Sequence, residues 1–304
     1  MVSDSSLAVM TILITGANGT ISTALLALLA SSSDDKLRAL ARDPAKAPGL
    51  PGVEVAIGDL ERPGTLTGPF TGVDTLWLLT AAGPRAPHAS SNAVWAARNA
   101  HVRHIVRLSA IGAAHDAPNR NGRLHALSDA ELAASGIPWT IIRPSAFMQN
   151  LLGSVAGGTL YHNWGQGRAG LIDARDIAQF AAHLLTRPAE HAGKTYNLTG
   201  PASLSMTDVA AALTHALGTP ITAQQIPDDA AVAAMTASGM PEWVAEVVGR
   251  EYGAAYASGW GDYTTTDFTA VTGRPARTIA DFARDHAAYL TAPGTTPANQ
   301  GGPA

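Results

Sequence analysis

The chain contains no cysteine, so disulfides, thiolate metal ligands and cysteine nucleophiles are all excluded. It also lacks an excess of basic charge. Lys and Arg total 20 against 24 Asp and Glu, a formal net charge of −4, and a direct nucleic-acid partner is not expected because phosphate contacts need clustered cations. No apolar run approaches the ~20 residues that cross a bilayer, so no membrane span is expected. The N-terminal stretch MVSDSSLAVMTILITG has no basic segment before its short apolar run, which ends in Gly-Ala-Asn-Gly; a strand is expected there rather than a signal peptide, with the cytoplasm as the expected location. There is no G-x-S-x-G elbow for acyl transfer. His101 and His104 straddle a helix end with no acidic neighbour, so no metal site is expected. Tyrosine is absent before Tyr161, and the lysines are Lys36, Lys46 and Lys194.

What is present is a rhythm. Short strand-like runs at 9–15, 37–41, 53–57, 75–79, 104–108 and 139–143 alternate with helical patterns at 21–30, 89–100 and 122–135. Continuous apolar strands between helices predict a parallel sheet covered on both faces, a doubly wound Rossmann-type α/β domain over residues 1–145. After Pro144 helices dominate, at 176–185, 207–217, 241–257 and 278–290, with short strands at 195–198 and 221–226. A smaller, mostly helical substrate domain is expected over 146–290, interleaving with the first, followed by a disordered Pro-, Gly- and Thr-rich tail at 291–304.

The strongest motif is TILITGANGTISTALLALL. A strand runs into Gly16-x-x-Gly19-x-x-Ser22, which opens a helix. Gly16 permits a tight turn, Gly19 lets the backbone approach a pyrophosphate, and the helix N-terminus offers free N–H groups. Ser22 replaces the usual third glycine and is small enough for close helix–strand packing. An NAD site usually carries an acidic residue at the end of the second strand. Here LRALARDPAK places Arg42 at that point and Lys46 four residues on, a pair suited to a 2′-phosphate, so NADP(H) is the expected cofactor. Asp43 adjoins Arg42 and offers the competing reading of an exposed ion pair. Asp59 can accept from an adenine amino group or cap a turn. Ligands of such folds sit at the carboxyl ends of the strands. The expected lining therefore adds Asn18, Thr20 and Ile21, Leu60, the run Thr80, Ala81 and Ala82, then Ser109, Pro144 and Phe147.

The runs TGANGTIS, RALARDPAKA, VEVAIGDLERPGTL, GVDTLWLLTAA, HIVRLSAIGA, SGIPWTIIRPSAFMQNLL and GKTYNLTGPASLSMTDVAAAL together resemble the NmrA-like group of atypical short-chain dehydrogenases/reductases, over about residues 10–290. The resemblance implies the Rossmann fold and a nicotinamide cofactor. It implies activities such as NADPH-dependent quinone reduction, triphenylmethane dye reduction or ketoreduction in aromatic polyketide pathways. The group also holds a regulator that binds the dinucleotide without known turnover, so an NADP(H)-sensing protein is the alternative. The wider superfamily works with a serine and with a tyrosine and lysine four apart. Ser109 matches the serine. His125 falls near the tyrosine slot, and four residues on stands Asp129 in place of lysine.

Hydride transfer to a carbonyl leaves negative charge on oxygen, which needs a donor. Ser109 and His125 are the candidates. Helical spacing groups His125 with Gly122, Asp129 and Leu132, and assigns Leu124 and Leu127 to the core stripe. The missing tyrosine and lysine favour acceptors whose reduced oxygen is weakly basic, as in a quinone, or an aromatic ketone stabilised within the substrate. The expected partner is thus a small hydrophobic aromatic substrate, and the protein a monomer or homodimer. The expected pocket is Phe147, Met148, Trp164, Trp243, Tyr252 and Tyr256; Tyr252, Tyr256 and Trp260 share four-residue spacing, and core packing of the small domain is the competing reading.

Overall fold

The computed structural model describes residues 9–292; the tail expected from 291 lies, beyond Ala292, outside the described residues. The first part of the chain runs β1 (Thr11–Ile14), α1 (Thr20–Ser32), β2 (Lys36–Ala41), β3 (Val53–Ile57), α2 (Thr67–Phe70), β4 (Thr75–Leu78), α3 (Ala86–Asn99), β5 (His104–Leu108), α4 (Arg120–Ala134) and β6 (Trp139–Pro144). Then come α5 (Asn150–Ser154), β7 (Val155–Ala156), β8 (Thr159–His162), β9 (Arg168–Ala169), α6 (Ala174–Thr186), β10 (Lys194–Leu198), β11 (Leu204–Ser205), α7 (Met206–Leu217), β12 (Thr222–Gln225) and α8 (Asp228–Ala237). The chain continues through α9 (Glu242–Glu246), a π-helical turn (Val247–Tyr252), α10 (Gly253–Ala257), α11 (Asp267–Thr272), α12 (Ile279–Asp285) and α13 (Ala287–Leu290).

The central sheet has seven strands in the order β10-β6-β5-β4-β1-β2-β3. Every pairing in it is parallel. The doubly wound α/β expectation therefore holds. All residues of β4 and β5 are buried, and apart from Thr75, His104 and Arg107 these strands are apolar. On one face, Ile21, Leu25 and Leu29 of α1 meet Ile177, Phe180 and Leu184 of α6. On the other, Ala93 and Ala97 of α3 and Leu132 of α4 cover Leu76 and Ile105. The order reverses between β1 and β4, the switch point at which ligands of such sheets bind, outside the carboxyl ends of the strands.

The chain after residue 145 is not confined to one side of this architecture. α6 and β10 return to the central sheet, β10 pairing with β6 from Lys194↔Thr140 to Leu198↔Pro144. The remainder builds a third core around Leu160, Leu213, Tyr256 and Phe282.

Two long helices expected from periodicity are interrupted. The run 241–257 loosens into the π turn, where Gly249 lies so close to α8 that a Cβ would stand 3.0 Å from Val232 Cγ2. The run 278–290 breaks at His286, whose ring stacks on Phe282 at 4.3 Å. α8 was not expected, because its sequence DDAAVAAMTA buries Ala231 alone and so shows no apolar stripe.

Candidate active site

The turn after β1 has the geometry its glycines allow. Gly16 takes φ +59°, and a Cβ there would sit 2.6 Å from Leu79 Cδ2, so the loop after β1 lies tight against the end of β4. Gly19 is the N-cap of α1 and makes no side-chain cap bond, which leaves the first-turn N–H groups of the helix for an anion. Asn18 and Thr20 are exposed beside it; Ile21 is buried in the core and offers the cleft only its backbone. Ser22 does more than fill a small space. Its Oγ donates to the Thr15 carbonyl at 3.1 Å and accepts from Trp77 Nε1 at 3.0 Å. Thr15 Oγ1 in turn donates to the Leu79 carbonyl at 2.8 Å. This buried relay fastens β1, β4 and α1 behind the glycine turn.

At the end of β2, Arg42 and Lys46 are both exposed, and neither side chain has a hydrogen-bond or ion-pair partner among the described residues. Asp43 is engaged elsewhere: its carboxylate accepts from Ala45 N at 2.9 Å and caps the 3-10 turn Pro44–Lys46. The two cations are thus free to receive a phosphate. Asp59 uses one oxygen to cap its own turn, accepting from Glu61 N at 3.0 Å. The Leu60 carbonyl accepts from Asn92 at 2.7 Å, and Arg85 pairs with Glu61 at 3.0 Å, so the loops after β3 and β4 are tied together. Thr80 and Ala82 are half-buried and Ala81 exposed in the loop after β4.

Below the ends of β5 and β6 lies a buried ionic cluster. Arg107 of β5, only 1% exposed, donates from Nε to Asp129 at 2.9 Å, from one terminal nitrogen to Ser90 at 3.1 Å, and stands 3.2 Å from His125 Nδ1 with the other. Arg143 donates to Asp129 Oδ2 at 2.9 Å, and Ser109 Oγ donates to the same oxygen at 2.8 Å. Burial first, and then the Arg107 charge, push the His125 imidazole down to about 3, so the ring is neutral at physiological pH. Ser109 is buried and its hydroxyl donates to Asp129, so as placed its proton points into the ionic cluster.

This cluster overturns the assignment of the α4 faces. Gly122, Asp129 and Leu132 are buried and His125 is half-buried, whereas Leu127, assigned to the core, is 51% exposed. Pairing a buried Arg107 outweighs covering one leucine, because an unpaired buried charge costs several kcal/mol, more than the roughly 1.5–3 kcal/mol of a buried aliphatic side chain. Sequence reasoning missed Arg107 and Arg143 as site residues. The available signal was an arginine inside each of two apolar strands, HIVRL and WTIIRP.

The mouth of α4 is held by the second part of the chain. Arg120 N donates to Glu251 at 2.6 Å, and the Arg120 guanidinium also pairs with that carboxylate while lying 5.6 Å over the Trp243 ring. Asn121 donates to the Tyr252 hydroxyl at 3.2 Å. Trp164 stacks on Tyr256 at 4.0 Å, and Tyr252 and Trp260 complete the aromatic group at 6.0 and 5.7 Å from Tyr256. Of the expected pocket, Trp243, Trp164, Tyr252 and Phe147 keep partial exposure; Met148 and Tyr256 are buried in the third core. Those two serve packing, the competing reading for this region. Burial raises the Tyr252 and Tyr256 hydroxyls above the ordinary tyrosine value, so neither stands in for an acidified tyrosine. Pro144 ends β6 in the core, and Phe147 joins Ile172 through a single bridge.

Of the histidines considered for a metal, His104 is buried, with Nε2 2.9 Å from Thr140 Oγ1, and His101 is exposed. Among the described residues no three His, Cys, Asp or Glu side chains converge as a metal site, and no helix is long and apolar enough to cross a membrane. The glycine turn, the uncapped helix and the two free cations together fit a phosphorylated dinucleotide laid across the switch point of the sheet.

Comparison with known proteins agrees with that geometry. A family described as NAD(P)H-binding matches residues 16–188. The chain is 40% identical to an NAD(P)H azoreductase of Xenophilus azovorans, over 92% of this chain and 99% of that protein. The NADPH-dependent quinone oxidoreductase QOR2 of Escherichia coli, complexed with NADPH, superposes with a TM-score of 0.80 at 26% identity, covering 90% of this chain and 99% of that one. The triphenylmethane reductase of Citrobacter sp. superposes with a TM-score of 0.81 at 24% identity, over 93% and 100% of the two chains, and shows the shared fold.

Proposed function

We propose a substrate class from one premise: the chain belongs to the NAD(P)H-binding family and is an NAD(P)H-dependent reductase. The proposed acceptors are bulky conjugated molecules, quinones and aromatic ketones first. Azo compounds join the class through the likeness to the azoreductase. NADPH is the proposed cofactor, its 2′-phosphate received by Arg42 and Lys46, and the pyrophosphate by the Gly16–Gly19 turn and the N-terminus of α1.

When bound, the dinucleotide supplies a hydride. The protein's own part is to position, to exclude water and to stabilise charge. His125 is the proposed donor toward the acceptor. Trp164, Trp243, Tyr252 and Phe147 are the proposed apolar walls, suited to a flat ring system.

The observation that carries the substrate class is the composition of the ionic cluster. Arg107 and Arg143 both donate to Asp129, which also accepts from Ser109, and His125 is neutral. None of these groups is an acid fit to protonate an alkyl alkoxide. A quinone leaves an aryl oxide, whose conjugate acid ionises near pH ~10, and such an oxygen can wait for a proton from water. The test is consumption of NADPH against quinones, azo dyes, aromatic ketones and aliphatic ketones. Turnover is expected with quinones, with aromatic ketones whose nascent oxygen is stabilised within the substrate, and with azo dyes that react as quinone-hydrazone tautomers. Tight NADPH binding with no consumption against any of them would instead mark a dinucleotide sensor.

A further inference from the structure

We infer that Arg107 is a positioning residue that holds His125 in one tautomer, its proton on Nε2 and its Nδ1 lone pair turned into the ionic cluster. The inference rests on the proposed role of His125 for its functional meaning, but its structural basis stands apart from it.

The geometry leaves Arg107 little freedom. Its Nε is taken by Asp129 and one terminal nitrogen by Ser90, so the remaining nitrogen is fixed 3.2 Å from His125 Nδ1. A guanidinium carries only donors. An Nδ1–H tautomer would set N–H against N–H inside a buried site, with no acceptor between them. The neutral ring therefore carries its proton on Nε2. That nitrogen has no partner among the described residues, and it is absent from the fully buried polar atoms left unpaired, so it keeps access to solvent. The charged groups around the ring have their partners. Asp129 on the same helix accepts from Arg107 of β5 and Arg143 of β6, Glu131 accepts from Ser91, and Glu251 on the π turn is held by Arg120.

The chemical consequence is a donor that does not titrate. A neutral imidazole with Nε2–H can hydrogen-bond to an oxygen or nitrogen on which charge builds, without surrendering the proton. When a hydride adds to the acceptor, the displaced electron pair settles on that atom, Nε2–H stabilises it, and the proton that completes reduction comes from water. A protonated histidine would repel Arg107 across 3.2 Å. The same arginine thus selects the tautomer and, together with burial, the charge state.

The test is nitrogen NMR of the full chain labelled in its histidine rings, with His125→Gln used to identify the signals. A protonated Nε2 and an unprotonated Nδ1, unchanged from about pH 8 to about pH 5, are expected. An Nδ1–H tautomer, or titration near the ordinary histidine value, would overturn the inference. Arg107→Met should release the ring into a mixture of tautomers and raise its pKa. Where that variant fails to fold, Arg107→Lys keeps a cation for Asp129 while losing the third donor, and should show the same mixture. A folded lysine variant that retains pure Nε2–H would also overturn it. Kinetics separate this from the catalytic reading. If the tautomer is as inferred and His125→Phe loses less than about tenfold in kcat, the donor role fails while the role of Arg107 stands.

Discussion

Ser109 Oγ donates to Asp129 Oδ2 at 2.8 Å, and Asp129 stands four residues after His125, where the resemblance leads one to expect a lysine. The position that would lower the pKa of a tyrosine here bridges two arginines and accepts from a serine. Asp129→Ala should therefore act on stability before activity. It leaves Arg107 buried and unpaired, for a loss of about 3–5 kcal/mol. Denaturant unfolding checks this, with Asp129→Asn expected to lose less because the amide oxygen can still accept. A loss within ordinary surface values would mean that the arginines find other partners.

The Ser22 relay makes a second prediction. Ser22→Ala strands the indole N–H of Trp77, which is fully buried and donates to Ser22 at 3.0 Å. The expected loss is about 1–3 kcal/mol, read as a lower unfolding midpoint, with little change in dinucleotide affinity in the folded protein. A large fall in affinity without loss of stability would place Ser22 in the binding turn itself.

Arg42→Ala should weaken NADPH at least about tenfold, or ~1.4 kcal/mol, and leave NADH nearly unchanged, as measured by titration of each cofactor. Lys46→Ala should show the same direction with a smaller effect, since an ammonium lacks the fork that grips a phosphate in two places. Equal loss for both cofactors would remove the 2′-phosphate from this site.

Stability should fall as the solution is acidified below the ordinary histidine value. His104 is pushed down to about 4 by burial and by His191, and His125 to about 3. Between about pH 6.5 and those values the unfolded chain binds protons that the folded one refuses, so stability rises with pH across this window and is full above it. Each histidine contributes a slope of at most about 1.4 kcal/mol per pH unit. Unfolding curves from near-neutral to acid pH test it, and His125→Phe should reduce the slope. A flat profile over that window would contradict both shifts.

The sheet was legible because its inner strands are buried and its edge strand β3, though partly exposed, is still rich in Val and Ile; the bounds expected for β3 and β5 match the structure residue for residue. The glycine turn after β1 was legible because glycine at positive φ leaves a trace in sequence. The ionic cluster was not. Arg107 sits in a strand and Asp129 lies 22 residues away on a helix, and only the fold brings them to 2.9 Å. α4 misled for a related reason. Periodicity treats leucine as core and aspartate as surface, and here a buried arginine reverses the preference. α8 carries no apolar stripe of its own, and the π turn packs against it through Gly249.

The proposed site stabilises charge without supplying an acid. The most direct measurement is kcat/KM at saturating NADPH across acceptors graded by the basicity of the oxygen produced, from quinones through aromatic ketones to aliphatic ketones. A steep fall is expected as that oxygen passes from an aryl oxide, with a conjugate acid near pH ~10, to an alkyl alkoxide. Rates that stay level along the series, or are highest for aliphatic ketones, would show that the protein supplies a proton of its own and would contradict the account.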